Sequence, residues 1–228
     1  MKIQSLASGS EGNCYVLDRA IMLECGIRWA KVRQALYFFT NDIEACLVSH
    51  EHQDHSKAVK DVMRAGIDCY MSKGTADALN VSGHRLHIIR DMEQFRVGHW
   101  RVLPFPTVHD ASEPLGFLLA SGDEKLLYAS DTEYIPHRFK GLTHIMVEAN
   151  YSLDIVRENV MAGSVPSAHK NRVLQSHMSI DTVKDMLRAN DLSKVQQIWL
   201  LHLSRGNSDA EAFRQDIQEL TGKETRIA

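Results

Sequence analysis

Short apolar runs separated by turn residues fill the chain, and their periods give the first picture of the fold. Residues 1–8 (MKIQSLAS) predict a strand, followed by the small-residue loop Gly9-Ser10-Glu11-Gly12-Asn13. Residues 14–18 (CYVLD) and 20–25 (AIMLEC) predict two further strands joined as a hairpin. Residues 28–39 predict a helix, because Trp29, Val32, Leu36 and Phe39 fall near one face. ACLVSH then reads as a strand, SKAVKDVMRAG as a helix closed by Gly66, IDCYMS as a strand and GTADALN as a short helix. RLHIIR, HWRVLPFP, GFLLAS, KLLYAS and HIMVEAN are further strands. After a polar stretch, IDTVKDMLRAN predicts a helix with Asp181 near its start. VQQIWLLH forms the next element, and AEAFRQDIQELTG closes the chain as an amphipathic helix.

The order is strands, helix, strands, helix, strand, helix, with no repeat, low-complexity tract or linker. It predicts one layered α/β domain over residues 1–228 with its site along one edge of the strands. A chain of this length can bury one large core. No apolar run approaches the roughly 20 residues that span a bilayer. The opening residues lack a signal-peptide pattern. The expected address is the cytoplasm, with no membrane partner.

Charge narrows the partners. Lys and Arg number 26 against 29 Asp and Glu, a net charge of −3. There is no global basic footprint, so a nucleic-acid partner requires a local basic patch. Cys14, Cys25, Cys46 and Cys69 are placed singly and read as small buried thiols. The twelve histidines are the unusual number, because several close apolar runs.

The densest group is His50-Glu51-His52-Gln53-Asp54-His55, directly after the apolar ACLVS. His50 and His52 alternate on an extended segment, so both imidazoles can point the same way. Asp54 and His55 fall at the turn into the next helix. Imidazole nitrogens with a carboxylate suit a first-row divalent metal, and a catalytic site keeps a position open for water.

An HxHxDH motif after a strand resembles that of the metallo-β-lactamase superfamily. The resemblance implies an α/β, four-layer αβ/βα sandwich and a hydrolase with two divalent ions. Matched one at a time, His109 after RVLPFPTV looks like the third histidine of the first site. Asp131 in LLYASDTEY looks like the carboxylate that bridges both ions, and His202 closing IWLLH looks like the last ligand. The first ion would take His50, His52, His109 and Asp131. The second would take Asp54, His55, Asp131 and His202. Glu24, where the family usually has Asp, departs from the pattern and would act as a longer brace beside the ligands.

Later segments narrow the branch. SHMSIDTV with His177, IMVEANY with Glu148, and LLHLSRGN resemble the phosphodiesterase branch. SLASGSEGNC, HEHQDH, NRVLQSHMS and HLSRGN together resemble small YycJ/WalJ-type nucleases over nearly the whole chain, and transfer-RNA 3′-processing nucleases more distantly. The interval of about twenty residues from His109 to Asp131 leaves no room for an inserted cap domain. A long arm for gripping transfer RNA is also missing.

The resemblance implies Zn²⁺ or Mn²⁺ as cofactor, a metal-bridged hydroxide as nucleophile and Asp54 as essential to catalysis. It makes His177 a proton donor oriented by Glu148. Lys170, Arg172 and Arg205 would touch phosphate. His177 could instead cap the following helix, a role open also to Ser179 or Asp181. The expected partner is a nucleic acid or nucleotide phosphodiester. A homodimer is compatible, although no stripe marks an interface. The alternative functions are hydrolysis of cyclic or short oligonucleotides, and thioester or lactam hydrolysis with Glu148 and His177 idle. A non-catalytic metal-binding subunit would lack one or more ligands, whereas all seven positions are filled.

Overall fold

A computed structural model describes residues 1–162 and 174–228. Among them, two β-sheets of six and seven strands are accompanied by helices, the mixed α/β class expected. The chain divides into two compact units. Unit 1 is Met1–Pro106 with Ala111–Phe117, and unit 2 is Thr107–Asp110 with Leu118–Ala228. Each unit joins separated stretches of sequence, and one division falls inside a strand, Leu115–Ser121. No change of composition marks such a boundary.

Unit 1 is built on a six-stranded sheet in chain order: β1 (Ile3–Ala7), β2 (Cys14–Leu17), β3 (Ile21–Leu23), β4 (Ala45–Leu47), β5 (Asp68–Met71) and β6 (Leu86–Ile88). The first three strands pair antiparallel and β3 to β6 pair parallel. Parallel pairing needs crossovers, and helices α1 (Trp29–Ala35), α2 (Gln53–Ser56), α3 (Val59–Arg64) and α4 (Lys73–Ala78) lie on them. Strands β2, β3 and β4 are buried at every position, as strands covered on both faces must be. All four cysteines lie in this core as free thiols, and burial pushes the Cys14 thiol well up.

The helix expected over 28–39 is shorter, ending at Ala35. Tyr37 (φ 51°) and Phe38 (φ 65°) are left-handed. Phe38 N–H donates to the Arg33 carbonyl at 2.7 Å and Tyr37 N–H to the Gln34 carbonyl at 3.0 Å. This is the Schellman pattern of bonds, formed without its usual glycine. Phe39 therefore points into solvent, 65% exposed, instead of extending the apolar face. The helix expected over 56–66 is divided into α2 and α3, and Gly66 (φ 90°) closes α3 as anticipated. A hairpin not foreseen in full pairs β7 (Phe95–Val97) with β8 (Trp100–Pro106).

In unit 2, β10 (Glu124–Ala129), β11 (His144–Glu148), β12 (Gln197–Leu201) and β13 (Glu224–Ile227) pair parallel in sequence order. The strand Leu115–Ser121 is β9. Strand β13 follows the helix expected to end the chain; its four residues alternate too briefly to signal a strand, and pairing with β12 creates it. Helix α5 (Leu153–Met161) was also missed, since Val156 is its one buried residue. Ser152 caps it by accepting the Asp154 N–H at 3.3 Å. Helices α6 (Ile180–Arg188) and α7 (Ala210–Thr221) match expectation, capped by Ser179 and Asp209.

Candidate active site

In unit 1, Leu23 of β3 lies opposite Leu47 of β4 in parallel register. The residues just beyond both strands therefore emerge at the same end of the sheet, where parallel sheets present ligands. One strand delivers Glu24 and the other delivers Ser49, His50 and His52. Glu24 is wholly buried and left-handed, with φ 60°. Its Oε2 accepts the Ser49 N–H at 3.1 Å, and its Oε1 lies 3.6 Å from His55 Nδ1. The carboxylate favours a proton on Nδ1, which leaves the lone pair on Nε2, the side marked by Asn13 Nδ2 at 3.0 Å. The His50 ring centre lies 4.7 Å from that of His52 and 4.2 Å from that of His55. Asp54 Oδ2 lies 3.6 Å from His55 Nε2. Three imidazoles and a carboxylate thus converge on one turn.

Main-chain bonds hold that turn. Asn13 N–H donates to the Asp54 carbonyl at 2.6 Å, Cys25 N–H to the His55 carbonyl at 2.8 Å, and Gly26 N–H to the Asn13 carbonyl at 2.8 Å. A Cβ on Gly26 would sit 1.6 Å from the Asp54 carbonyl oxygen, so only glycine fits there. Asn13 is fully buried and its Oδ1 also accepts the Gly9 N–H at 2.9 Å.

In unit 2 the ends of three parallel strands perform the same task. Asp131 follows β10, Glu148 ends β11 and His202 follows β12, with Glu148 opposite Leu201 in register. Asp131 (φ 48°) and His202 (φ 51°) are both left-handed. Strained backbone of this kind persists where the surroundings over-determine it, often at functional sites. Asp131 Oδ1 lies 2.8 Å from His202 Nδ1 and accepts the Ser130 hydroxyl at 3.0 Å. Glu148 is wholly buried. Its Oε1 meets His177 Nδ1 at 2.5 Å and His202 Nδ1 at 3.1 Å, while its Oε2 accepts the N–H groups of Thr132 (3.1 Å) and Met178 (3.2 Å). One donor atom each from Asp131, Glu148, His177 and His202 lies within 4.8 Å of the other three.

Titration follows from these contacts. Burial alone would raise the Glu148 carboxyl, but the His177 charge and bonds from His177 and His202 outweigh it and hold the carboxyl low. Burial likewise disfavours protonated His177, yet the charge and hydrogen bond of Glu148 raise it above an ordinary imidazole. His109 goes the other way, because burial outweighs the pull of Asp131 and keeps it a neutral base. Its Nδ1 is 2.9 Å from the Ser176 carbonyl, which fixes the proton there and leaves Nε2 as the lone pair, 3.6 Å from Asp131 Oδ2. The donors in both units are therefore of the kind a divalent cation takes: imidazole nitrogens, with His55 and His109 oriented through their second nitrogen, and carboxylates.

Each unit gathers its own share of the expected residues: His50, His52, Asp54 and His55 in unit 1, and His109, Asp131, Glu148, His177 and His202 in unit 2. His177 does not cap α6, since Ser179 Oγ accepts the Thr182 N–H at 3.1 Å. Arg205 is exposed on the turn after His202. Lys170 and Arg172 lie outside the described residues. Two buried amides escaped notice. Asn13 staples the histidine turn, and Asn150 Nδ2 donates to the His202 carbonyl at 2.8 Å. Their signal was an amide at the junction of an apolar strand and a loop, in EGNCYVL and IMVEAN.

The family profile described as "Beta-lactamase superfamily domain" matches residues 19–203, a span that holds every candidate ligand. The chain belongs to the beta-lactamase superfamily. Among curated members, the exodeoxyribonuclease WalJ of Streptococcus pneumoniae is 26% identical over 230 residues, covering 92% of this chain and 84% of WalJ. The exodeoxyribonuclease YycJ of Bacillus anthracis is 27% identical over 236 residues, covering 94% of this chain and 87% of YycJ. The metallo-β-lactamase fold protein YhfI of Bacillus subtilis superposes with a TM-score of 0.74 at 12% identity, over 99% of this chain and 95% of YhfI. That likeness shows the fold. Family and relatives together make this superfamily member a metal-dependent hydrolase. Among the described residues, no helix is long and apolar enough to cross a membrane.

Proposed function

We propose that this superfamily member is a dinuclear phosphodiesterase of the cytoplasm that degrades nucleic-acid strands, DNA before RNA. One ion would be held by His50, His52, His109 and Asp131, and the other by Asp54, His55, Asp131 and His202, with Zn²⁺ or Mn²⁺ as the metal. Bound there, divalent ions acidify water and neutralise charge on a phosphodiester. The chain's own residues do the rest. Glu24 orients His55, the Ser176 carbonyl orients His109, and Glu148 binds Nδ1 of both His177 and His202. His177 thereby presents Nε2 toward the substrate side, where it holds the proton that the leaving oxygen takes.

The observation that carries this reading is the 2.5 Å bond between Glu148 and His177 within the cluster that also contains Asp131 and His202. Ligands alone would serve a lactam or thioester hydrolase as well. A buried carboxylate that keeps one further imidazole protonated suits a poor alkoxide leaving group. The names of the curated relatives support DNA as the substrate.

The test is hydrolysis of a labelled DNA oligonucleotide by metal-stripped protein with Zn²⁺ or Mn²⁺ restored, beside bis(p-nitrophenyl) phosphate. The proposal expects metal-dependent turnover of both. His177→Ala should slow the oligonucleotide by about 10²–10⁴-fold, the range of a positioned acid, and the aryl ester less, because its leaving group needs less help. Turnover of thioesters or lactams alone, unaffected by His177→Ala, would contradict it.

A further inference from the structure

Net charge denies this chain a global attraction for nucleic acid, so a strand needs a local cationic surface. Unit 1 holds one that begins beside the histidine turn. A cavity of about 190 Å³ is lined by Gln53, the neighbour of Asp54, and by Lys57 and Lys60. A second cavity, of about 380 Å³, is lined by Lys60, Arg64, His84 and Arg85. The two share Lys60 and Val81, so they adjoin. Lys60 and Arg64 lie one turn of about 5.4 Å apart on α3, and Lys57, at the end of α2, precedes them by three residues. All three are exposed.

The acids nearby cancel part of this charge. Asp61 holds Arg64 at 2.7 Å and Asp68 holds Arg85 at 3.0 Å, and each guanidinium keeps further donors. Lys57, Lys60 and His84 make no ion pair with any described residue. Met63 and Val81 lend the larger cavity an apolar wall. A row of cations over apolar surface matches a chain of phosphates carrying sugars and bases, and matches a single small anion poorly.

We infer that this groove carries the phosphate backbone of a polynucleotide strand away from the histidine turn, with Lys57, Lys60 and Arg64 on successive phosphates. The inference rests on the phosphodiesterase reading for the strand's reacting end, but it can fail separately. It makes the protein a binder of strands, not a scavenger of mononucleotides or cyclic nucleotides.

The experiment measures binding of a fluorescent 12-nucleotide phosphorothioate DNA, which resists cleavage, to the metal-loaded full chain by anisotropy across a salt series. The combined Lys57→Gln, Lys60→Gln and Arg64→Gln variant should weaken binding about tenfold or more at 100 mM salt. It should also lower the salt slope by about 2, near 0.7 for each lost single-strand contact. The charge-preserving Lys57→Arg, Lys60→Arg pair should bind as wild type does, and so should the exposed unit-2 swap Lys194→Gln, outside both cavity linings. Unchanged affinity and slope in the triple variant, or no strand binding by the wild type, would overturn the groove. So would a loss that Lys57→Arg, Lys60→Arg reproduces. Failure of the wild type to cleave unmodified DNA that it binds would instead sink the phosphodiesterase reading and leave the groove standing.

Discussion

The two units solve one problem, holding imidazole and carboxylate donors beyond the ends of parallel strands, by different means. In unit 1 the four donors fall within six consecutive positions, His50 to His55. Main-chain bonds from Asn13 and Cys25 fix their turn, and Gly26 packs against it without a side chain. In unit 2 the donors are spread from His109 to His202; strand register brings Asp131, Glu148 and His202 together, and contacts to Ser176 and Glu148 place His109 and His177. Side chains then fix one another, with Glu148 bonded to two histidines and two backbone N–H groups. A site made by a turn depends on backbone fit. A site made by register depends on its polar network, which is costly to leave half satisfied.

That contrast can be broken at several points. Asp131→Ala removes the carboxylate shared by both proposed ligand sets, and oligonucleotide hydrolysis should fall by about 10⁴-fold, roughly 5 kcal/mol in the barrier. Circular dichroism should show the fold retained. Glu148→Gln keeps the shape of the side chain but removes the charge that holds His177 protonated. It should cost about 10²–10³-fold in oligonucleotide turnover while KM changes little. Gly26→Ala attacks the other unit: a Cβ against the Asp54 carbonyl should destabilise the protein by about 3 kcal/mol in denaturant titration, whereas Gly222→Ala, beside open space, should cost less.

Smaller effects sharpen the picture. Asn150→Ala leaves the His202 carbonyl without this donor and should cost about 1–3 kcal/mol in the same titration. Tyr37→Gly should have the opposite sign. Tyr37 is 81% exposed and left-handed, so glycine relieves backbone strain with little burial lost, a gain of about 1 kcal/mol.

The difference between the units also explains what the sequence made legible. HEHQDH carries its geometry in its spacing, and buried strands such as β4 and β12 advertise themselves as apolar runs. His109, Asp131, Glu148, His177 and His202 are single residues whose grouping depends on register, and only a resemblance to relatives pointed to them. Asn13 and Asn150 act through amide bonds that no pattern of apolar positions encodes. The end of α1 was misread because apolar spacing continues to Phe39 while the backbone turns left-handed at Tyr37. Strand β13 exists through its partner β12, and α5 has too thin an apolar face to announce itself.

Metal stoichiometry, measured by native mass spectrometry of the full chain titrated with Zn²⁺ or Mn²⁺, tests the dinuclear site most directly. Two ions per chain are predicted, with Asp131→Ala weakening both and His177→Ala, outside either proposed ligand set, sparing both. A single ion, or none at concentrations that restore hydrolysis, would contradict it.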